Sequence, residues 1–207
     1  MRHATIAATA ATALALVSAP ALAQSAGDWT VGVGLGVLAP KSNNGALAGG
    51  TLPIKIDENA QAALTFEYFI ADNLGVELLA ATPFQHKISL TGIGEIGRAR
   101  HLPPTLSLQY HFNGEGGLSP FVGAGVTFTT FFDDKATGAL AGSKLRLGDS
   151  VGGAAHAGVD VRLSERGAIR ADLRWMNIDS TIRLNGFKIG ETHIDPMVYG
   201  LSYVLSF

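Results

Sequence analysis

Residues 197–207 alternate without a break: Met197, Tyr199, Leu201, Tyr203, Leu205 and Phe207 are bulky and apolar, with Val198, Gly200, Ser202, Val204 and Ser206 between them. A period of two over about ten residues marks a β-strand with two unlike faces, one apolar enough for hydrocarbon and one for a packed or watery interior. One such strand constrains little. Seven more precede it, and no helical period of comparable strength competes with them.

The first segment sets Trp29, Val31, Val33, Leu35 and Val37 against Thr30, Gly32, Gly34 and Gly36. The second opposes Ala62, Leu64, Phe66, Tyr68 and Ile70 to Gln61, Ala63, Thr65 and Glu67; the third opposes Leu74, Val76, Leu78 and Ala80 to Gly75, Glu77, Leu79 and Ala81. In the fourth, Leu106, Leu108, Tyr110 and Phe112 alternate with Thr105, Ser107, Gln109 and His111, and in the fifth Val122, Ala124, Val126 and Phe128 with Gly123, Gly125, Thr127 and Thr129. The sixth carries Val151, Ala155, Ala157, Val159, Val161 and Leu163 opposite Gly152, Ala154, His156, Asp160 and Arg162; the seventh carries Ile169, Ala171, Leu173 and Trp175 opposite Arg170, Asp172 and Arg174. Long connections over residues 40–58, 83–100, 133–148 and 179–192 alternate with short turns at Asp72-Asn73, at residues 113–117 and at Ser164-Glu165-Arg166-Gly167. The pattern predicts an all-β fold: an eight-stranded antiparallel up-and-down transmembrane β-barrel with short periplasmic turns and four longer extracellular loops. Closure removes the strand edges that hydrocarbon would leave unsatisfied.

The amino terminus supports export. Met1-Arg2-His3 precede an Ala-rich apolar run over residues 4–17 and then Ala21-Leu22-Ala23, which reads as a signal peptide over residues 1–23 and leaves 24–207 as one barrel domain. That run falls short of the roughly 20 apolar residues of a helical span. Charged residues are 15% of the chain, against about 25% in a typical soluble domain. There is no cysteine, so no disulfide or thiol chemistry, and a net charge of −2 gives no electrostatic case for a nucleic-acid partner. These features place the chain in the outer membrane of a Gram-negative bacterium, with membrane lipid as its first partner. The strand ending on Phe207 resembles the signal read by the outer-membrane assembly machinery.

Particular residues go further. Residues 75–84 with His86, Lys87 and Ile88, then His101-Leu102-Pro103-Pro104-Thr105-Leu106, then Pro120-Phe121-Val122-Gly123-Ala124-Gly125 with Thr130-Phe131-Phe132-Asp133, resemble the OmpW family of outer-membrane proteins. Asp149-Ser150, Gly158-Val159-Asp160, Trp175-Met176-Asn177-Ile178-Asp179 and Asp195-Pro196 extend the resemblance over essentially the whole mature chain. It implies a narrow, partly hydrophobic channel that passes small apolar compounds.

Sorted by height, the inward residues divide. Glu67, Glu77, Asp160, Arg162, Arg170, Asp172 and Arg174 fall toward the short-turn end, where eight strands leave room for little more than side chains; they are expected to form a polar plug. The alternative is a purely structural lock. Above them, Leu79, Ala81, Phe131, Ala154 and Met176 are expected to line a hydrophobic lumen. Pro83 and the pair Pro103-Pro104 remove ladder donors from neighbouring strands at one height, a candidate lateral gap toward lipid, or else simple strand-end punctuation.

Other signals are weaker. Gly92-Ile93-Gly94-Glu95-Ile96-Gly97 fits a dinucleotide-binding glycine pattern, but the Pro103-Pro104 that follows forbids the helix it needs. Gly27-Asp28-Trp29 matches a lipocalin opening, yet lipocalins carry their apolar residues inside; Trp29, Tyr68, Tyr110 and Trp175 suit an interfacial aromatic girdle better. His86, His101 and His193 fall in or beside the long connections, with Asp133, Asp134 and Asp179 within chain reach, but no spacing fixes a catalytic pair, a metal site or a cofactor site. The expected function is therefore non-enzymatic: passive passage of small hydrophobic molecules. A structural or surface-interaction barrel is the alternative, and the cargo and oligomeric state stay open.

Overall fold

The eight alternating segments pair in a ring. The computed structural model describes residues 24–112 and 117–207. The expected signal peptide and most of the turn over residues 113–117 lie outside the described residues. In chain order the strands are β1 (Trp29–Ala39), β2 (Ala46–Leu47), β3 (Leu52–Ile56), β4 (Asn59–Ala71), β5 (Leu74–Ala81), β6 (Phe84–Leu90), β7 (Gly94–Leu102), β8 (Thr105–His111), β9 (Leu118–Ala136), β10 (Leu145–Leu147), β11 (Ser150–Arg162), β12 (Gly167–Met176), β13 (Asp179–Leu184), β14 (Phe187–His193) and β15 (Met197–Ser206). The barrel runs β1-β4-β5-β8-β9-β11-β12-β15 and returns to β1, every neighbour antiparallel.

The terminal strand closes it. Val31 pairs with Leu205, Val33 with Tyr203, Leu35 with Leu201 and Val37 with Tyr199, so the two apolar faces merge into one. Leu35 is 64% exposed and Val151 73%, within a continuous apolar belt that only lipid can cover at low cost. At the lower rim, Trp29 stacks on Phe207 with ring centroids 4.3 Å apart.

The long connections turn out not to be loops in the ordinary sense. Strand β9 has 19 residues, which at about 3.3 Å per residue is roughly 60 Å, far more than an apolar band about 25 Å tall requires. Its lower part pairs with β8, from His111↔Phe121 to Thr105↔Thr127; its upper part changes partner to β7, from Leu102↔Thr130 to Gly97↔Ala136. The remaining short strands continue this upper tier in the order β10-β13-β14-β2-β3-β6-β7-β9. Alternation drives it here too: in β6, Phe84, His86, Ile88 and Leu90 are buried while Gln85 and Lys87 are exposed. The β13–β14 hairpin turns on Asn185-Gly186, both at positive φ, the backbone that a tight two-residue hairpin demands. The upper tier encloses its own apolar core, with Ile54, Ile88, Ile96, Leu145, Ile178, Ile182 and Ile194 all buried.

Candidate functional site

The barrel interior has a charged lower half and an apolar upper half. Below, Glu67 on β4 and Glu77 on β5 are directly paired across the ladder, an arrangement that repels unless a cation bridges it. Arg170 on β12 does so. Its Nη1 donates to Glu77 Oε2 at 2.9 Å and its Nη2 lies 3.4 Å from Glu67 Oε2, while Nε and Nη2 hold both oxygens of Asp160 at 2.7 and 2.8 Å. Arg174 continues the network upward, 2.7 Å from Glu77 Oε1, with Nε donating to Asp172 Oδ2 at 2.8 Å and Nη1 facing His156 Nδ1 at 3.0 Å.

Beyond His156, three participants were not assigned to the plug from sequence. Gln109 donates to Glu67, His111 lies 2.9 Å from Glu67 Oε1 and 3.9 Å from Asp160 Oδ2, and Phe121 presents its ring 4.5 Å from the Arg170 guanidinium. The inward register of β8 already held the first two; the stacking ring lies one residue before Val122, and extending that alternation by one position turns it inward. Room for these large groups comes from glycine. A Cβ on Gly75 would stand 2.3 Å from Glu67 Oε1, and one on Gly123 would stand 2.0 Å from His156 Nε2. Arg162 differs from the other grouped charges. It is partly exposed at the lower rim beside Gly117 instead of buried with Arg170 and Arg174.

Above the network lies a small cavity with a mostly apolar lining. Asp172 and Arg174 form its floor; Gly36, Ala63, Leu79 and Ala81 are in its wall; Leu38, Phe84, Pro103, Met176 and Val198 close it above. Of the residues grouped from sequence, Leu79, Ala81 and Met176 face this cavity, while Phe131 and Ala154 belong to the same apolar cluster without lining it.

The wall is uneven beside the prolines. Pairing between β5 and β8 ends at Leu79↔Thr105, although β5 runs on to Ala81 and keeps its other neighbour through Ala63↔Ala81. Pro103 and Pro104 have no N–H to offer β5. The Pro104 carbonyl accepts instead from Phe128 N at 3.0 Å, on the far side. Pro103 is buried against the cavity, whereas Pro83 is exposed at the start of the β5–β6 connection.

The histidines separate as well. His193 pairs with Asp179 on the exposed surface of the upper tier, but His86 and His101 are buried on β6 and β7 and are not solvated loop residues. Asp133 lies beside Arg100 and Lys135, and Asp134 accepts from Leu147 N.

Comparison with known proteins gives the same picture. The profile of the OmpW family matches residues 25–207. The chain is 38% identical to Outer membrane protein W of Escherichia coli strain K12 over 212 residues, covering 98% of each, and 38% identical to Outer membrane protein W of Vibrio cholerae over 198 residues, covering 89% of this chain and 91% of the relative. The crystal structure of the outer membrane protein OprG from Pseudomonas aeruginosa superposes with a TM-score of 0.77 at 32% identity, over 89% of this chain and 99% of that one. A closed eight-stranded barrel with a lipid-facing belt, matched over residues 25–207 by the profile of a family of outer-membrane proteins, belongs to the OmpW family.

Proposed function

We propose that the protein passes small hydrophobic molecules through the outer membrane without chemical transformation, by way of the upper lumen and out through the barrel wall. The observation that carries this reading is the cavity itself: apolar walls over a floor of paired charges. A hydrophobic molecule resting there gains from leaving water, at roughly 25 cal/mol per Å² of apolar area buried. Moving straight down would force it between Arg174, Glu77 and Asp172, breaking charge-assisted bonds that nothing apolar can replace.

The shortened β5–β8 ladder supplies the other direction. Leu79, Ala81 and Pro103 all line the cavity on that side, so a molecule leaving there meets an edge with fewer hydrogen bonds to break. On the outside, an apolar depression lined by Leu52, Leu90, Ile96, Leu140 and Ile189 gives the cap a hydrophobic face toward solvent. The apolar core of the upper tier joins that depression to the cavity roof.

Uptake of octane into sealed proteoliposomes tests the reading. Gly36 faces the cavity, and a Cβ there meets only side-chain atoms, at 3.5 and 3.9 Å, so Gly36→Leu directs its side chain into the space. Wild-type vesicles should take up octane faster than empty ones, and Gly36→Leu should return uptake to background. Equal uptake in protein-containing and empty vesicles would sink the proposal. One feature favours a surface-interaction barrel instead: Phe187, at the tip of the β13–β14 hairpin, is 78% exposed. If Phe187→Ser abolished binding to an outside partner while octane uptake stayed at background in wild type, that reading would replace this one.

A further inference from the structure

The cap over the cavity buries two imidazoles beside its apolar core. His86 on β6 and His101 on β7 are 4% and 1% exposed, with ring centroids 5.0 Å apart. Phe84 and Phe131 flank His101 at 5.7 and 5.4 Å. Phe84 also lines the cavity roof, so one aromatic ring separates the lumen from the pair.

Their hydrogen-bonding state follows from their partners. His86 Nδ1 lies 2.6 Å from the backbone carbonyl of Asp57, which can only accept; Nδ1 therefore carries the proton and Nε2 presents a lone pair. That Nε2 and both ring nitrogens of His101 are buried with no hydrogen-bond partner among the described residues. Burial lowers the pKa of both rings, His101 to about 3, with the neighbouring His86 adding to the effect there. At neutral pH the pair thus offers one N–H donor and two acceptors, all vacant, inside hydrocarbon-like surroundings. Buried polar groups left this way are costly unless something fills them.

We propose that His86 and His101 form a head-group subsite for small uncharged amphiphiles, with a primary alcohol as the best match. A hydroxyl donates one hydrogen bond and accepts another, so it can give its proton to the His86 lone pair and accept from the His101 N–H. Its alkyl chain then occupies the cavity below Phe84, a placement that rests on the reading of the cavity given above. A carboxylate is disfavoured, because two neutral imidazoles cannot compensate its desolvation. An alkane fits the cavity but leaves the nitrogens vacant.

The test is a titration of the full-length protein in lipid nanodiscs with 1-octanol, octane or octanoate, read by ¹H–¹⁵N spectra of the imidazoles and by methyl spectra of Leu79 and Met176. Octanol should shift the His86 and His101 ring nitrogens together with the methyls; octane should shift the methyls alone, and octanoate should leave the rings unmoved at pH 7. His101→Phe and, independently, His86→Leu should each lower octanol's binding advantage over octane by about fivefold to tenfold, the loss of one hydrogen bond. The proposal is overturned if octanol and octane act alike on the rings, which is the outcome for a trapped water, or if both variants keep the full advantage. Because this titration reads binding and not transport, the octane uptake assay can fail or succeed separately from it.

Discussion

The two halves of the lumen are built on the same alternating strands and do opposite things. In the lower half every large inward group meets a partner: Arg170 alone contacts Glu67, Glu77 and Asp160, and glycines opposite them leave no slack. In the upper half the residues around the lumen are mostly small or apolar, and they surround an unfilled space at Gly36, Ala63 and Ala81. The lower half is rigid because a buried charge tolerates only its exact set of partners; the upper half can yield because dispersion contacts are non-directional. The fold is common to both, so the division of labour is set by which side chains the strands aim inward at each height.

The sharpest way to break the contrast is to remove its central cation. Arg170→Met should cost about 3–5 kcal/mol, the penalty of leaving Glu67, Glu77 and Asp160 facing one another without compensation. Urea unfolding in vesicles, followed by tryptophan fluorescence, would measure it; a loss under 1 kcal/mol would mean the network is not a lock.

Acid should act first on the cap. Burial leaves His101 with a folded pKa of about 3, below its unfolded value near 6.5, so the folded state binds fewer protons and stability falls as pH drops below that unfolded value. At pH 5 the loss should reach about 2 kcal/mol, and it should vanish in His101→Phe. Unfolding midpoints at pH 7 and pH 5 for both proteins decide the matter, an unchanged pH dependence in the variant being the adverse result.

One methyl group placed at two heights gives the finest comparison. Gly123→Ala drives a Cβ into the His156 ring and should destabilise by about 1–3 kcal/mol, the usual cost of overpacking. Gly36→Ala enters the cavity with ordinary van der Waals contacts and should change stability by less than about 0.5 kcal/mol. Equal effects at the two positions would erase the distinction between a packed floor and an open chamber.

Much of this was legible in the residues. The pairing of Val33 with Tyr203 and of Leu35 with Leu201 follows from two alternating runs that must share a lipid face. Glu67, Glu77, Asp160, Arg170, Asp172 and Arg174 could be grouped because register fixes height as well as face. The upper tier was less legible. Its strands are short, and β2 and β10 have two and three residues, too few for a period to show. The Asn185-Gly186 turn was a readable hairpin signal inside an assumed loop, and the alternation Phe84, His86, Ile88, Leu90 was a second one. That alternation is what buries His86, and the paired strand β7 buries His101, although both fall in or beside a long connection. The position of Arg162 depended on where β11 leaves the barrel, which periodicity does not specify.

The central claim, that an apolar chamber over a charged floor holds hydrophobic cargo, is tested most directly by locating the cargo. Solid-state NMR of the protein in lipid bilayers with ¹³C-labelled octane should show contacts to the Leu79, Ala81 and Met176 methyls. It should show none to Thr30 or Ala168, which are buried below Arg170. Contacts of equal strength above and below the arginines, or none inside the barrel, would contradict the account.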